Sequence, residues 1–312
     1  MSVERWHGGE LRWDHLTRNW VIVAPGRAAR PHRRAGDSCP FCPGPDEDTP
    51  PETWRLPAGS GQSWRVRAVP NRYALSDRHE VVIESPSHGW DLATASAAEA
   101  ADVLHAWQHR HRALREGTAQ VVVFRNRGRA AGTSLSHSHS QVAGLPTLSP
   151  SARRELEALR EHHRATGRRF ADDLLDGALS SGDRIVFAND RVVASAPFAP
   201  VADFEVQLLP TIPRADFTAV PADELCAVAL ALRTVLGALR GELGDPAYNL
   251  VLNTAPTGME DAPFLTWSLR IVPRLTIAAG LELATGIPVV TTPPERAAAR
   301  LRARITHPVR TG

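Results

Sequence analysis

The sequence predicts an α+β fold of two tandem units, each an antiparallel sheet with helices packed on it. Three observations predict it. Landmarks of the first half recur in the second at an offset of roughly 125 to 130 residues. Short apolar or alternating runs lack the helical period and read as strands. Two longer segments each carry a single apolar stripe, the mark of a helix lying on a sheet.

Residues 36–61, with their prolines and acidic side chains, read as a surface excursion anchored by two cysteines. His79-Glu80-Val81-Val82-Ile83 then opens the first unit as a strand. Ser96 and Glu99 have the form of a capping box, and Val103, Trp107 and Leu114 recur along one face of the helix that follows. A strand from Gln120 to Phe124 ends in Arg125-Asn126 and precedes the motif His137 to Gln141. The second unit repeats the order. A strand from Phe204 to Leu209 leads to a helix begun by Pro221, with Leu225, Val228, Leu232, Val235, Leu236 and Leu239 as its apolar stripe. Tyr248 to Leu252 is the next strand, ending in Asn253, and Thr266 to Ile271 closes the copy. Glu80 and Asn126 are 46 residues apart, Glu205 and Asn253 48, which favours duplication. Residues 149–183 are polar, arginine-rich and partly helical, a connector. The division expected is therefore 1–148 for the first half and 149–312 for connector and second half.

With 312 residues, 43% apolar and 22% charged, the chain has an ordinary globular composition, which excludes disorder and coiled coil. Lysine and arginine total 36 against 34 aspartates and glutamates, a net charge of +2 that excludes a broad nucleic-acid footprint. A small-molecule partner is expected. The longest uninterrupted apolar run, Cys226 to Leu232, is far below the ~20 residues of a membrane span, and the amino terminus has no signal-like stretch. A soluble, cytoplasmic protein is the expectation. Three cysteines make no disulfide framework; the pair Cys39-Pro-Phe-Cys42 reads as metal or redox chemistry.

In His137-Ser138-His139-Ser140-Gln141 a strand would put His137, His139 and Gln141 on one face and the serines on the other. By itself such a run also fits a solvated strand edge. Cys39 and Cys42 supply two soft ligands, and a structural zinc site wants four, so two of the 13 histidines would complete it. Spacing does not choose among them.

Several ordered motifs together resemble the galactose-1-phosphate uridylyltransferase branch of the histidine-triad superfamily, including its ADP-glucose phosphorylase-like members. They run from Arg12-Trp13-Asp14-His15-Leu16-Thr17-Arg18-Asn19-Trp20-Val21 through Cys-Pro-Phe-Cys, Val69-Pro70-Asn71-Arg72-Tyr73-Ala74-Leu75, Asn126-Arg127-Gly128 and His-Ser-His-Ser-Gln. They continue to Ile271-Val272-Pro273-Arg274-Leu275 and Ala279-Gly280-Leu281-Glu282, so the likeness covers nearly the whole chain. The resemblance implies two histidine-triad-like units, the first catalytic and zinc-bearing, the second degenerate. It implies that His139 attacks the α-phosphorus of a nucleoside diphosphate sugar, forming a nucleotidyl-histidine and releasing a sugar 1-phosphate, before a second phosphate takes the nucleotide. An imidazole with a pKa near about 6.5 is largely neutral and nucleophilic at cytoplasmic pH, and covalent catalysis divides the transfer into two easier steps.

By the same likeness Gln141 donates to a non-bridging phosphoryl oxygen, Ser134 and Gly132 cradle phosphates, and Asn126 contacts the α-phosphate region. Arg27 and Arg30 match arginines that reach phosphate, in some members across a dimer interface. Phe41 and Asn71 match positions lining the nucleoside pocket, and Glu282 a glutamate that bonds hexose hydroxyls. Cys39, Cys42, His88 and His137 match four ligands of a structural zinc. The implied activity is UDP-glucose:hexose-1-phosphate uridylyl transfer, as in galactose metabolism. An ADP-sugar phosphorylase using phosphate as acceptor is the close alternative, and a zinc-stabilised nucleotide-binding protein without turnover the third reading. A homodimer is implied by likeness only.

The second copy departs from the pattern. Thr266-Trp267-Ser268 stands for the histidine motif, so only one half is expected to be chemically active. With Ile212-Pro213 at another ligand position, no second metal is expected, although Glu155 is retained. Thr276 and Leu281 stand where galactose enzymes carry lysine and tyrosine, which leaves the hexose open. Cys226 is expected to be a buried thiol, and His105, His109, His111, His162 and His163 surface residues.

Overall fold

The computed structural model describes residues 3–6, 9–29, 38–59 and 63–305. At its start β1 (Val3–Trp6), β2 (Gly9–Asp14) and β3 (Asn19–Val23) form a small antiparallel sheet. The first unit then comprises β4 (Trp54–Pro57), β5 (Trp64–Pro70), β6 (His79–Ile83), α1 (Ala97–Leu114), β7 (Gln120–Arg127) and β8 (His139–Leu145). Helices α2 (Pro150–Thr166) and α3 (Phe170–Ser181) connect it to the second. That unit contains β9 (Ile185–Ala188), β10 (Val192–Ser195), β11 (Val206–Pro210), α4 (Ala222–Leu243), β12 (Tyr248–Asn253) and β13 (Ser268–Pro273). Helices α5 (Gly280–Thr285) and α6 (Pro294–Arg302) follow.

The two copies share one sheet. Its order is β4-β5-β6-β8-β7-β12-β13-β11-β10-β9, and every pairing is antiparallel. Read outward from the central β7–β12 pair, each half gives the same succession of strands, so the duplication is visible as a pseudo-twofold. Joining edge to edge pairs two rows of backbone N–H and C=O groups that two separate sheets would leave open. The register also refines the correspondence between halves. Val81 lies opposite Gln141 and Gln207 opposite Arg270. When His139 is matched with Ser268, therefore, Glu205 occupies the place of His79 rather than of Glu80. The one-residue shift matters because it changes which face a side chain serves.

Helices α1 and α4 pack side by side on one face of this sheet. The Ser96–Glu99 capping box is formed at the start of α1. Val103, Trp107 and Leu114 of α1 and the whole predicted stripe of α4 are buried in one core with Val82, Val123, Val142, Leu250 and Leu269 from the strands. A second, smaller cluster of Phe41, Trp64, Val69, Val81 and Ile83 sits on the other face of the first unit.

Three local expectations are corrected. Residues 36–61 are not only a surface excursion: β4 joins the sheet as its edge strand, and Arg67 ties the preceding loop down through Glu47. Cys226 is exposed, because it falls beside the buried stripe of α4 rather than on it. His111 is 1% exposed, since the last turn of α1 is covered where Arg115 reaches Asp216. Among the described residues no helix is long and apolar enough to cross a membrane.

Candidate active site

The turn leading into β8 is built from glycines. Gly132 has φ 86°, the left-handed region, and a Cβ on Gly128 would meet the Ala247 Cβ at 2.7 Å. From there the chain enters β8 between β6 and β7, and the alternation expected of the motif is realised. The Ser140 hydroxyl accepts from the Trp107 indole at 2.7 Å, on the helix-covered face. Ser138 is held on that face by Arg125 at 2.7 Å and donates to Glu84. Arg125 pairs with Glu84 at 3.0 Å and reaches the Tyr248 hydroxyl; both charged side chains are fully covered. His139 and Gln141 therefore face the other way.

On that other face a pocket is lined by Phe41, Asn71, Tyr73, Ser134, His139 and Gln141, among others. The His139 Nδ1 lies 2.8 Å from the His137 carbonyl oxygen. A carbonyl only accepts, so Nδ1 carries the proton and Nε2 keeps its lone pair for chemistry. The Phe41 ring stands edge-on to the His139 ring, centroids 5.5 Å apart. The Gln141 Oε1 is 3.0 Å from His79 Nε2 and 3.3 Å from Asn71 Nδ2. Arg27 donates to the carbonyl of Tyr73, one of the lining residues, without itself lining the pocket. Asn126 shares the face of Phe124, the residue opposite Gln141, but its carboxamide oxygen accepts from Asn249 at 2.8 Å and it does not line the pocket. Gly132 belongs to the turn before β8 and does not line this pocket. Glu282 is in α5, where its Oε2 accepts from the Ala279 N–H at 3.0 Å, away from this pocket. Arg30 lies outside the described residues.

Beside the pocket the ligand atoms of Cys39, Cys42, His88 and His137 all lie within 4.8 Å of one another. His137 Nδ1 is 3.6 Å from Cys39 Sγ and 3.5 Å from Cys42 Sγ, and His88 Nδ1 is 3.3 Å from Cys42 Sγ. A tetrahedral ion with bonds of about 2.3 Å to sulfur and about 2.0–2.1 Å to nitrogen would separate such atoms by about 3.6 Å. The outer ring nitrogens are turned to suit. His137 Nε2 donates to the Ser85 carbonyl at 2.7 Å, which leaves its Nδ1 lone pair toward the thiols, and His88 Nε2 is 3.0 Å from the Ser136 hydroxyl, a group that can accept its proton. Burial pushes the Cys39 thiol up, but the His137 ring and the N–H groups of Phe41 and Cys42 outweigh it and bring it down to about 6. The Cys42 thiol is raised by burial and by Cys39. The residues present fit a soft tetrahedral metal ion.

His79 was legible only as part of a strand. Its reach to Gln141 across 62 residues leaves no local signal, and neither does the Glu84–Arg125–Ser138 network.

Comparison with known proteins agrees with the fold. The sequence profile of the galactose-1-phosphate uridyl transferase N-terminal domain matches residues 76–148. An ADP-glucose phosphorylase of Arabidopsis thaliana is 30% identical over 323 aligned positions, covering 91% of this chain and 90% of that protein. A solved uridylyltransferase structure superposes with a TM-score of 0.82 at 28% identity, over 95% of this chain and 98% of the other. A crystal structure of an Arabidopsis thaliana ADP-glucose phosphorylase with bound ADP-glucose gives 0.78 at 29% identity, over 94% and 98%.

Proposed function

The chain belongs to the galactose-1-phosphate uridylyltransferase family, and from that premise we propose that it moves a nucleotide between phosphates by double displacement through His139. The observation that carries the reading is the His139 Nδ1–H bond to the His137 carbonyl, which leaves Nε2 as the nucleophile at the wall of a pocket. Nε2 attacks the α-phosphorus of a nucleoside diphosphate sugar, a P–N bond forms, and the P–O bond to the sugar 1-phosphate breaks. The Gln141 amide donates to a non-bridging oxygen as charge gathers there. A phosphate oxygen of the acceptor then attacks phosphorus and Nε2 departs.

The substrates of this reading are UDP-glucose and a hexose 1-phosphate. Adenylyl transfer from an ADP-sugar to phosphate is the second reading, favoured by the full-length similarity to ADP-glucose phosphorylase. Phe41 and Asn71 form part of the nucleoside wall, and Ser134 and Arg27 meet phosphate. Asn126 and the Gly132 turn support the phosphoryl end, with Arg30 as a further cation. Zinc is the proposed occupant of Cys39, Cys42, His88 and His137, in a structural role. In this reading the protein is cytoplasmic and a homodimer: Glu282 lies away from the pocket of its own chain, and the hexose role proposed for it would be met by its segment reaching the pocket of a second copy. Exposed Leu275, Ile277, Leu281, Leu283, Ile287 and Val289 around it support that docking.

Incubation with UDP-glucose or ADP-glucose labelled at the α-phosphate, without acceptor, is expected to leave acid-labile label on the protein and none on His139→Ala. The labelled nucleotide also identifies the base. Label retained by His139→Ala would refute the mechanism.

A further inference from the structure

We infer that His79 is a positioning residue: together with Asn71 it fixes the carboxamide of Gln141 so that its NH₂ end, not its oxygen, meets the phosphoryl group. The inference rests on the reading of His139 and Gln141 given above and deepens it.

A glutamine carboxamide has two ends of nearly equal size and opposite chemistry. Turned one way it donates to an anionic oxygen; turned the other it opposes that oxygen with its own lone pairs. Something must choose. Here the choice is traceable to two backbone N–H groups, which can only donate. The Leu75 N–H points at His79 Nδ1 at 2.9 Å, so that nitrogen accepts and the ring proton resides on Nε2. Nε2–H is 3.0 Å from Gln141 Oε1. The Tyr73 N–H donates to Asn71 Oδ1 at 2.8 Å, which turns Asn71 Nδ2 toward Gln141, 3.3 Å from the same oxygen. Asn71 Nδ2 and His79 Nε2, both donors, stand 3.2 Å apart and converge on one acceptor.

A flipped Gln141 would set its own N–H groups against these two donors. His79 is 3% and Gln141 4% exposed, so water cannot make up the loss. The second copy supports treating the two positions as one unit. Glu205, in the place of His79, binds Arg270, in the place of Gln141, with Nε 2.9 Å from Oε1. Where the nucleophile is absent, the amide and its orienting imidazole are replaced together by an ion pair.

The test separates orientation from folding. His79→Asn keeps an acceptor for the Leu75 N–H but does not reach Gln141, whereas His79→Gln places an NH₂ near the site of Nε2. The single-turnover rate of label transfer from the α-labelled nucleotide sugar is measured for each, with the urea midpoint as the folding control. His79→Asn should lower the rate about 10- to 100-fold, less than the about 100- to 1,000-fold cost of removing such a donor outright, because Gln141 is still present but no longer held in one orientation, with KM for the nucleotide sugar little changed. His79→Gln should recover most of it. In a Gln141→Ala background His79→Asn should cost nothing more, since its target is gone. A wild-type rate in His79→Asn, or losses from His79→Asn and Gln141→Ala that multiply, would overturn the inference. So would a wild-type rate in Gln141→Ala while His139→Ala is dead, which leaves the His139 reading standing; label on His139→Ala would sink that reading itself.

Discussion

His111 illustrates what one side chain gains and loses by burial. Its neighbours Arg115 and Asp216 are visible as polar residues in the sequence, yet only the packing of α1 against the segment before α4 closes them over the ring. Burial, with the positive charge of Arg115 second, pushes the imidazole pKa down to about 4. The ring is thus neutral when folded and takes up a proton in the unfolded chain below about 6.5. The unfolded state then binds more protons, so stability falls as pH drops from about 6.5 to about 4 and changes no further below that. The full effect is about 3 kcal/mol. Urea unfolding from pH 7 to pH 4 should show a shallower loss for His111→Leu than for wild type; equal slopes would mean the ring is not held neutral. The same limit applied to the candidate site. The periodicity of residues 137–141 announced which side chains share a face, whereas the proton position on His139 and the orientation of Gln141 depend on contacts at distances of 2 and 62 residues that no period encodes.

At the scale of elements, β8 is gripped from both sides. On the helix face Trp107 holds its Ser140, and Arg125 and Glu84 hold Ser138 just before the strand. On the other, the loop bearing Cys39 and Cys42 meets His137, whose carbonyl also receives the His139 Nδ1–H. A metal in that cluster would therefore steady the backbone that sets the nucleophile's tautomer without touching substrate. Cys42→Ser is expected to drop the zinc content from near one per chain and to slow labelling of His139 about 10- to 100-fold. Elemental analysis beside the labelling assay checks both. Full zinc occupancy in Cys42→Ser would remove Cys42 from the ligand set, and unchanged labelling without zinc would break the link to β8.

For the whole molecule, a ten-stranded sheet with α1 and α4 on one face holds the main core, and the segment from Leu275 to Val289 stands apart from it in exposure. Leu283 is 77% exposed, so Leu283→Asp should alter the stability of a single chain by no more than about 0.5 kcal/mol. Sedimentation should nevertheless show the proposed dimer dissociating, with loss of transfer to a hexose 1-phosphate. A wild-type protein that sediments as a monomer at micromolar concentration would end the dimer reading.

The sequence by itself determined the helices α1 and α4, the strands β6, β7, β11, β12 and β13, the duplication they trace and the alternation of the histidine motif, because helix and strand periods and caps are set within a few neighbouring residues. The tertiary structure alone decided that the two copies share one sheet, that β4 is its edge, that His111 is buried and Cys226 exposed, and which way Gln141 is turned. Each of these depends on groups brought together from distant parts of the chain, where burial and hydrogen-bond partners come from packing rather than from neighbours in sequence.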